Sequence, residues 1–200
     1  MEKILFFDLE TTGLDPVKCA IHQIAGKIVI DGVERECFNY KVRPFEGAVI
    51  DDIALEVAGV TLGDIMLYPT MESVYEELIR TLDKYVNKYD KHDKMFMAGY
   101  NVAVFDTPFL REFFKMNGNP YFGSYFWSVP IDVIILAQAK LMNCRASMKD
   151  FKQGTVAAQL GIALNEDKLH DAWYDITICE QIYENVMGVK IKKGNLFNNG

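Results

Sequence analysis

Residues 6–14 read Phe6-Phe7-Asp8-Leu9-Glu10-Thr11-Thr12-Gly13-Leu14. With Ile4 and Leu5 before them, the two phenylalanines make the continuous apolar run expected of a strand buried on both faces, and the run ends in two acids and a Thr-Thr-Gly turn. Side chains alternate along a strand, so Asp8 and Glu10 point the same way. Two carboxylates this close repel each other, and burial raises the cost of ionising either one. A cation between them removes the conflict. Oxygen-only ligands suit Mg2+ or Mn2+ far better than zinc. Asp-x-Glu alone is common at solvated strand ends, so its meaning depends on whether distant segments bring further acids to the same place.

Working outward, Ala20 to Ile30 alternates as a second strand, Asp31-Gly32 is a hairpin signal, and a third strand runs from about Val33 to Val42. The stretch from Pro44 to Leu67 reads as irregular, with a short helix over Asp51 to Val57. A helix starting at Thr70 or Ser73 carries Val74, Leu78, Leu82, Tyr85 and Val86 at helical spacing. Met95 to Tyr100 is a short strand that turns through Asn101 to Asp106 into a helix with Pro108 in its first turn. A third acid, Asp106, thereby stands at a strand's carboxyl end, where open α/β sheets keep their sites. The aromatic-rich loop Tyr121 to Trp127 is expected as a satellite hydrophobic cluster, with base stacking as the other reading. Val129 to Val133 is the last strand and continues into a helix to Met142. Ser147-x-x-Asp150 has the pattern of a capping box for a helix ending at Gly161, and a final helix spans about Asp171 to Met187, stopped by Gly188.

The 200 residues are expected to form one domain over residues 1–188 with a tail over 189–200, long enough to bury roughly 70% of the unfolded surface. A net charge of -7 argues against a protein that grips long nucleic acid by overall charge. Locally, Lys140, Arg145, Lys149 and Lys152 face only Asp150, as either a backbone-phosphate patch or solvated helix-end charges. Cys19, Cys37, Cys144 and Cys179 lack Cys-x-x-Cys spacing and are expected as reduced, buried thiols. No apolar stretch is long enough to span a bilayer and no signal peptide is visible, so no membrane partner and a cytoplasmic location are expected. His22 and His92 are expected to be surface or hydrogen-bonded residues.

Asp8-x-Glu10, Asn101-x-x-x-Phe105-Asp106 and His170-x-x-x-x-Asp175, in this order and spacing, resemble the three motifs of the DEDDh 3'-5' exonucleases. That family contains the proofreading subunit of bacterial DNA polymerase III, oligoribonuclease and ribonuclease T. Ala54 to Thr61 and Leu160-Gly161-Ile162 resemble further family segments, so the likeness covers residues 3 to 187. It implies an α/β, ribonuclease-H-like fold with a mixed five-stranded sheet flanked by helices. It also implies a site of two divalent ions, Mg2+ or Mn2+, that hydrolyses phosphodiesters. By this resemblance Asp8, Glu10, Asp106 and Asp175 hold the metals, Asp106 through water or from behind the other ligands. His170 is the general base, with an unperturbed pKa near 6.5. Thr11, Leu14, Asn101 and Phe105 are the implied substrate contacts; as residues, Leu14 and Phe105 could equally be core and Asn101 a turn former. The implied substrate is the 3' end of single-stranded or frayed DNA. RNA ends, as in oligoribonuclease or ribonuclease T, are the alternative, and a non-catalytic binding module is the reading of a different class. A DNA polymerase is an implied partner. Leu196-Phe197 resembles the peptides that dock on the bacterial sliding clamp, without the Gln they carry.

Overall fold

The computed structural model describes residues 1–165 and 171–194. The N-terminal meander comprises β1 (Lys3–Thr11), β2 (Ile21–Ile30) and β3 (Val33–Lys41). Asp31 and Gly32 both adopt left-handed φ, +49° and +74°, as a tight two-residue hairpin turn between twisted strands requires. Helices α1 (Asp52–Val57), α2 (Leu62–Met66) and α3 (Met71–Asp83) follow, then β4 (Phe96–Gly99), α4 (Asp106–Met116), β5 (Ile131–Asp132), α5 (Val133–Lys140), α6 (Gln153–Gln159) and α7 (Ala172–Met187). The mixed sheet has the order β3-β2-β1-β4-β5, with β1 antiparallel to β2 and parallel to β4. This is the expected ribonuclease-H-like arrangement.

The central strand divides the core. Leu5, Phe7 and Leu9 join the side chains of α3 and α4 on one face, whereas Ile4 and Phe6 join those of α5, α6 and α7 on the other. Ile4 to Phe7 are all buried, and the strand continues through both acids to Thr11. Strand alternation therefore extends the Ile4–Phe6 row to Asp8 and Glu10, beneath α7. Opposite Glu10 and Thr11 the β1–β2 register slips by one residue, leaving His22 unpaired in the ladder at the carboxyl end of β1.

Several expectations need correction. Helix α2 occupies a stretch read as irregular; Thr61 and Asp64 form a reciprocal capping box that the sequence does contain. Ser147 and Asp150 do not form one. The Ser147 hydroxyl donates to the Cys144 carbonyl, Asp150 accepts from the Lys152 N–H and the Thr155 hydroxyl, and α6 starts only at Gln153. Strand β5 is two residues long because Pro130 offers no ladder donor and Val129 lies in solvent, 74% exposed. Tyr85 and Val86 follow α3 instead of ending it. Phe122, Tyr125 and Phe126 are not a satellite: they pack around Phe114 in the main core. Cys19 and Cys179 are buried, Cys37 and Cys144 only partly so, and all four are free thiols. His22 is fully buried, and neither ring nitrogen has a hydrogen-bond partner, so burial and the nearby Lys41 hold its pKa down at about 4. No helix among the described residues is long and apolar enough to cross a membrane.

Candidate active site

Four segments converge at the carboxyl end of β1. Asp8 and Glu10 project from the strand, and Asp175 comes down on them from the first turn of α7. One carboxylate oxygen from each of the three lies within 4.8 Å of the others. Helix α7 is aimed by its cap: Asp171 accepts from the Tyr174 N–H at 3.1 Å, and its second oxygen receives the Gln23 amide at 3.4 Å. Asp106 opens α4, is 4% exposed, and takes the backbone N–H of Leu9 at 3.1 Å, between the two strand acids. His170 lies outside the described residues.

The loop carrying Asp106 is itself fixed by a carboxylate. Asp132, at the end of β5 and 6% exposed, accepts from the backbone N–H groups of Asn101, Ala103 and Ile134 at 2.9, 3.0 and 3.3 Å. Asn101 needs this support because its φ is +63°, a conformation that L residues adopt at a cost. The strand before it approaches β1 closely: a Cβ on Gly99 would stand 2.8 Å from the Phe7 carbonyl oxygen. Asn101 is thus a turn former, its carbonyl accepting from Val104 and Phe105. Phe105 is half-buried and packs on Phe109, with ring centroids 5.2 Å apart. Leu14 is 82% exposed and is not core. The Thr11 hydroxyl is spent on the Gly13 carbonyl at 2.7 Å, and Thr12 ties the turn to Val49 and Ala20.

The electrostatics are lopsided. Burial pushes the Asp8 carboxyl well above its ordinary range, and Asp106, Glu10, Asp175 and Asp171 push it further. Glu10 is raised to about 8 by burial and then by Asp175, Asp106 and Asp171, with Lys41 opposing weakly. Asp106 is raised to about 7 by burial, with Asp132 adding to it and the Leu9 N–H opposing it. Half-buried carboxylates that repel one another in this way could hold a metal ion through their oxygens.

Two residues near this cluster escaped the sequence reading. Asp171, next to His170 in sequence, has the local pattern of a helix start and is the N-cap of α7. Lys41 was hidden by register: a bulge at Ile28 and Val29 shifts β2 against β3, so that Gln23 pairs with Lys41 instead of Tyr40. Glu10, Gln23 and Lys41 then lie side by side across three strands. The half-buried Lys41 ammonium sits 6.0 Å from the centre of the Tyr68 ring, and burial lowers its pKa.

Known proteins resemble this chain in sequence and in fold. A family model for exonucleases matches residues 5–183. A PolC-type DNA polymerase III from Mycoplasmopsis pulmonis is 26% identical over 197 residues, 98% of this chain but 12% of that protein. Exonuclease I of E. coli, solved with a dT13 oligonucleotide, superposes with a TM-score of 0.73 at 17% identity, covering 94% of this chain and 41% of that one. A moderately thermophilic exonuclease I from Methylocaldum szegediense gives 0.73 at 16% identity with the same coverage. The chain thus spans less than half the length of these relatives.

Proposed function

This chain belongs to the exonuclease family, and from that premise we propose that it is a metal-dependent 3'-to-5' exonuclease that removes nucleoside 5'-monophosphates from single-stranded or frayed DNA ends. The observation that carries the reading is the meeting of Asp8, Glu10 and Asp175, from a strand and a helix more than 160 residues apart, within 4.8 Å. Asp8, Glu10 and Asp175 would hold two divalent ions, with Asp106 behind them. Such ions, Mg2+ or Mn2+, supply a hydroxide near neutral pH and neutralise charge on the phosphoryl oxygens.

The remaining work falls to the chain. His170 takes the proton of the attacking water, a task suited to a group that titrates near neutrality. With its hydroxyl already engaged, Thr11 offers the terminal 3'-hydroxyl its backbone. Leu14 projects from the turn as a wedge between the last two bases, and Phe105, steadied by Phe109, gives a sequence-tolerant platform beside the left-handed turn at Asn101. The catalytic domain occupies residues 1–188. Residues 189–194 run along the sheet edge, where Lys192 pairs with Val33; the Leu196-Phe197 pair lies outside the described residues. The PolC-type relative supports a polymerase as partner.

The test is a product ladder from end-labelled single-stranded DNA and RNA of equal sequence with Mg2+ or Mn2+. Stepwise loss of 5'-monophosphates from the DNA 3' end is expected. Cleavage of RNA alone would replace DNA with the exoribonuclease alternative, and equal degradation by wild type and Asp8→Ala would overturn the enzyme reading.

A further inference from the structure

Beside Asp175 lies a cavity of about 730 Å³ whose walls include Ser147, Lys149, Lys152, Gln153 and Thr155. Asp175 is part of the same lining, so the cavity and the acid cluster share that residue. Its wall is fixed relative to that acid: the Gln153 side-chain amide donates to the Asp175 backbone carbonyl at 2.7 Å, joining α6 to the first turn of α7. Lys149 and Lys152 are exposed, and among the described residues neither ammonium has an ion pair within 4 Å. The one acid between them, Asp150, accepts from the Lys152 N–H and the Thr155 hydroxyl, and its single charge is shared by both lysines. Arg145 does not join them in the lining; it stacks on Phe151 at 5.0 Å.

Resting on the nuclease reading above, we propose that this cavity is a second phosphate-binding site, which takes the phosphodiesters of a single strand on the 5' side of the scissile one. A strand entering a cluster of buried carboxylates, on a chain with 28 acids against 21 basic residues, is repelled unless its neighbouring phosphates meet cations. The two lysines stand where that compensation is needed, next to Asp175 but outside the acid cluster. A dinucleotide, whose only phosphodiester is the scissile one, cannot reach them; a strand of three or more nucleotides can. The site therefore makes the enzyme prefer chains over the shortest fragments.

The test compares dT2 and dT12 as substrates for wild type and for Lys149→Gln/Lys152→Gln, with Lys84→Gln/Lys91→Gln as a charge-matched control at the opposite end of β1. For dT12 the cavity variant is expected to raise KM about five- to tenfold and to flatten the log–log salt slope by about 1.4, two phosphate contacts' worth. The loss grows with chain length and is smallest for dT2, and the control changes KM for dT12 less than twofold. Indistinguishable behaviour of the two variants on dT12 would overturn the site. Binding of 5'-fluorescein-dT12, read by anisotropy, separates this inference from the catalytic one. If wild type cleaves nothing, the nuclease reading fails while weaker binding by the cavity variant alone still supports the site; equal binding by both variants, or none by wild type, overturns it.

Discussion

Helix α7 carries two pairs of acids, and they meet opposite surroundings. Asp171 and Asp175, in its first turn, face Asp8 and Glu10: acid against acid. Two turns further on, Glu180 and Glu184 face cations. Lys27 of β2, 2% exposed, reaches Glu180 at 3.0 Å; Lys193 bridges Glu34 and Glu180 at 3.0 and 3.7 Å; Lys190 holds Glu184 at 2.8 Å. One helix thus buries charge in two ways. The distal network is neutralised within the chain, ties the residues after α7 to the sheet edge, and leaves nothing for a ligand to complete. In the proximal cluster the carboxylates of Asp8 and Glu10 are raised by burial and by their acidic neighbours, the kind of perturbation that functional sites carry.

The difference can be broken from either side. The largest effect is expected at the proximal cluster: Asp8→Asn should lower oligonucleotide hydrolysis about a thousandfold, since several kcal/mol of transition-state charge stabilisation depends on the ligand set. The same change removes like-charge repulsion, so the metal-free variant should melt higher than wild type at pH 8 by differential scanning fluorimetry. A lower melting temperature there would mean that the cluster is not frustrated. At the distal network the signs invert. Lys27→Ala leaves the buried Glu180 with only the longer Lys193 contact and should cost about 3 kcal/mol, a fall in Tm of roughly 10 °C, with hydrolysis per folded molecule at 20 °C retained.

Metal and pH sharpen the contrast further. The Glu10 carboxyl is raised from 4.5 to about 8 in the folded chain. A folded-state pKa above the unfolded value contributes stability that is complete below the unfolded pKa and lost as pH rises through the folded one. Metal-free Tm should therefore fall between pH 5 and pH 8.5. Mg2+ competes with those protons, so at a hundredfold excess over Kd it should restore about 5 °C or more at pH 8 and clearly less at pH 6. A Mg2+ effect independent of pH would separate the ion from these carboxylates. The smallest effect is expected from Asp132, a buried carboxylate satisfied by backbone N–H groups and so intermediate between the two clusters. Asp132→Ala should leave those donors unpaired, cost about 1–3 kcal/mol in a chemical melt, and lower kcat about tenfold by loosening the Asp106 loop.

Much of this was legible in the residues alone. The apolar run before Asp8 placed a buried central strand, alternation put Glu10 on the same side, and the strand-turn-helix around Asn101 put Asp106 at a strand's carboxyl end. Periodicity and capping signals along one segment suffice for such inferences because they concern neighbours in the chain. They failed where the decisive partner was remote, as at Lys41, two strands away from Glu10, which a bulge sets in the same row, and where neighbours competed, as at Ser147 and Asp150, each engaged by another nearby group.

The sequence by itself determined which acids exist, which strand and helix carry them, and the family they mark. Only the tertiary structure decided what each charge faces. A one-residue bulge set Lys41 in one row with Gln23 and Glu10, a strand pairing brought Asp132 under the Asn101 turn, and the packing of α6 on α7 opened a lysine-walled cavity next to Asp175. The physical reason is that the energy of a buried charge depends on neighbours within a few ångströms, and in a folded chain those neighbours come from segments whose register no local pattern encodes.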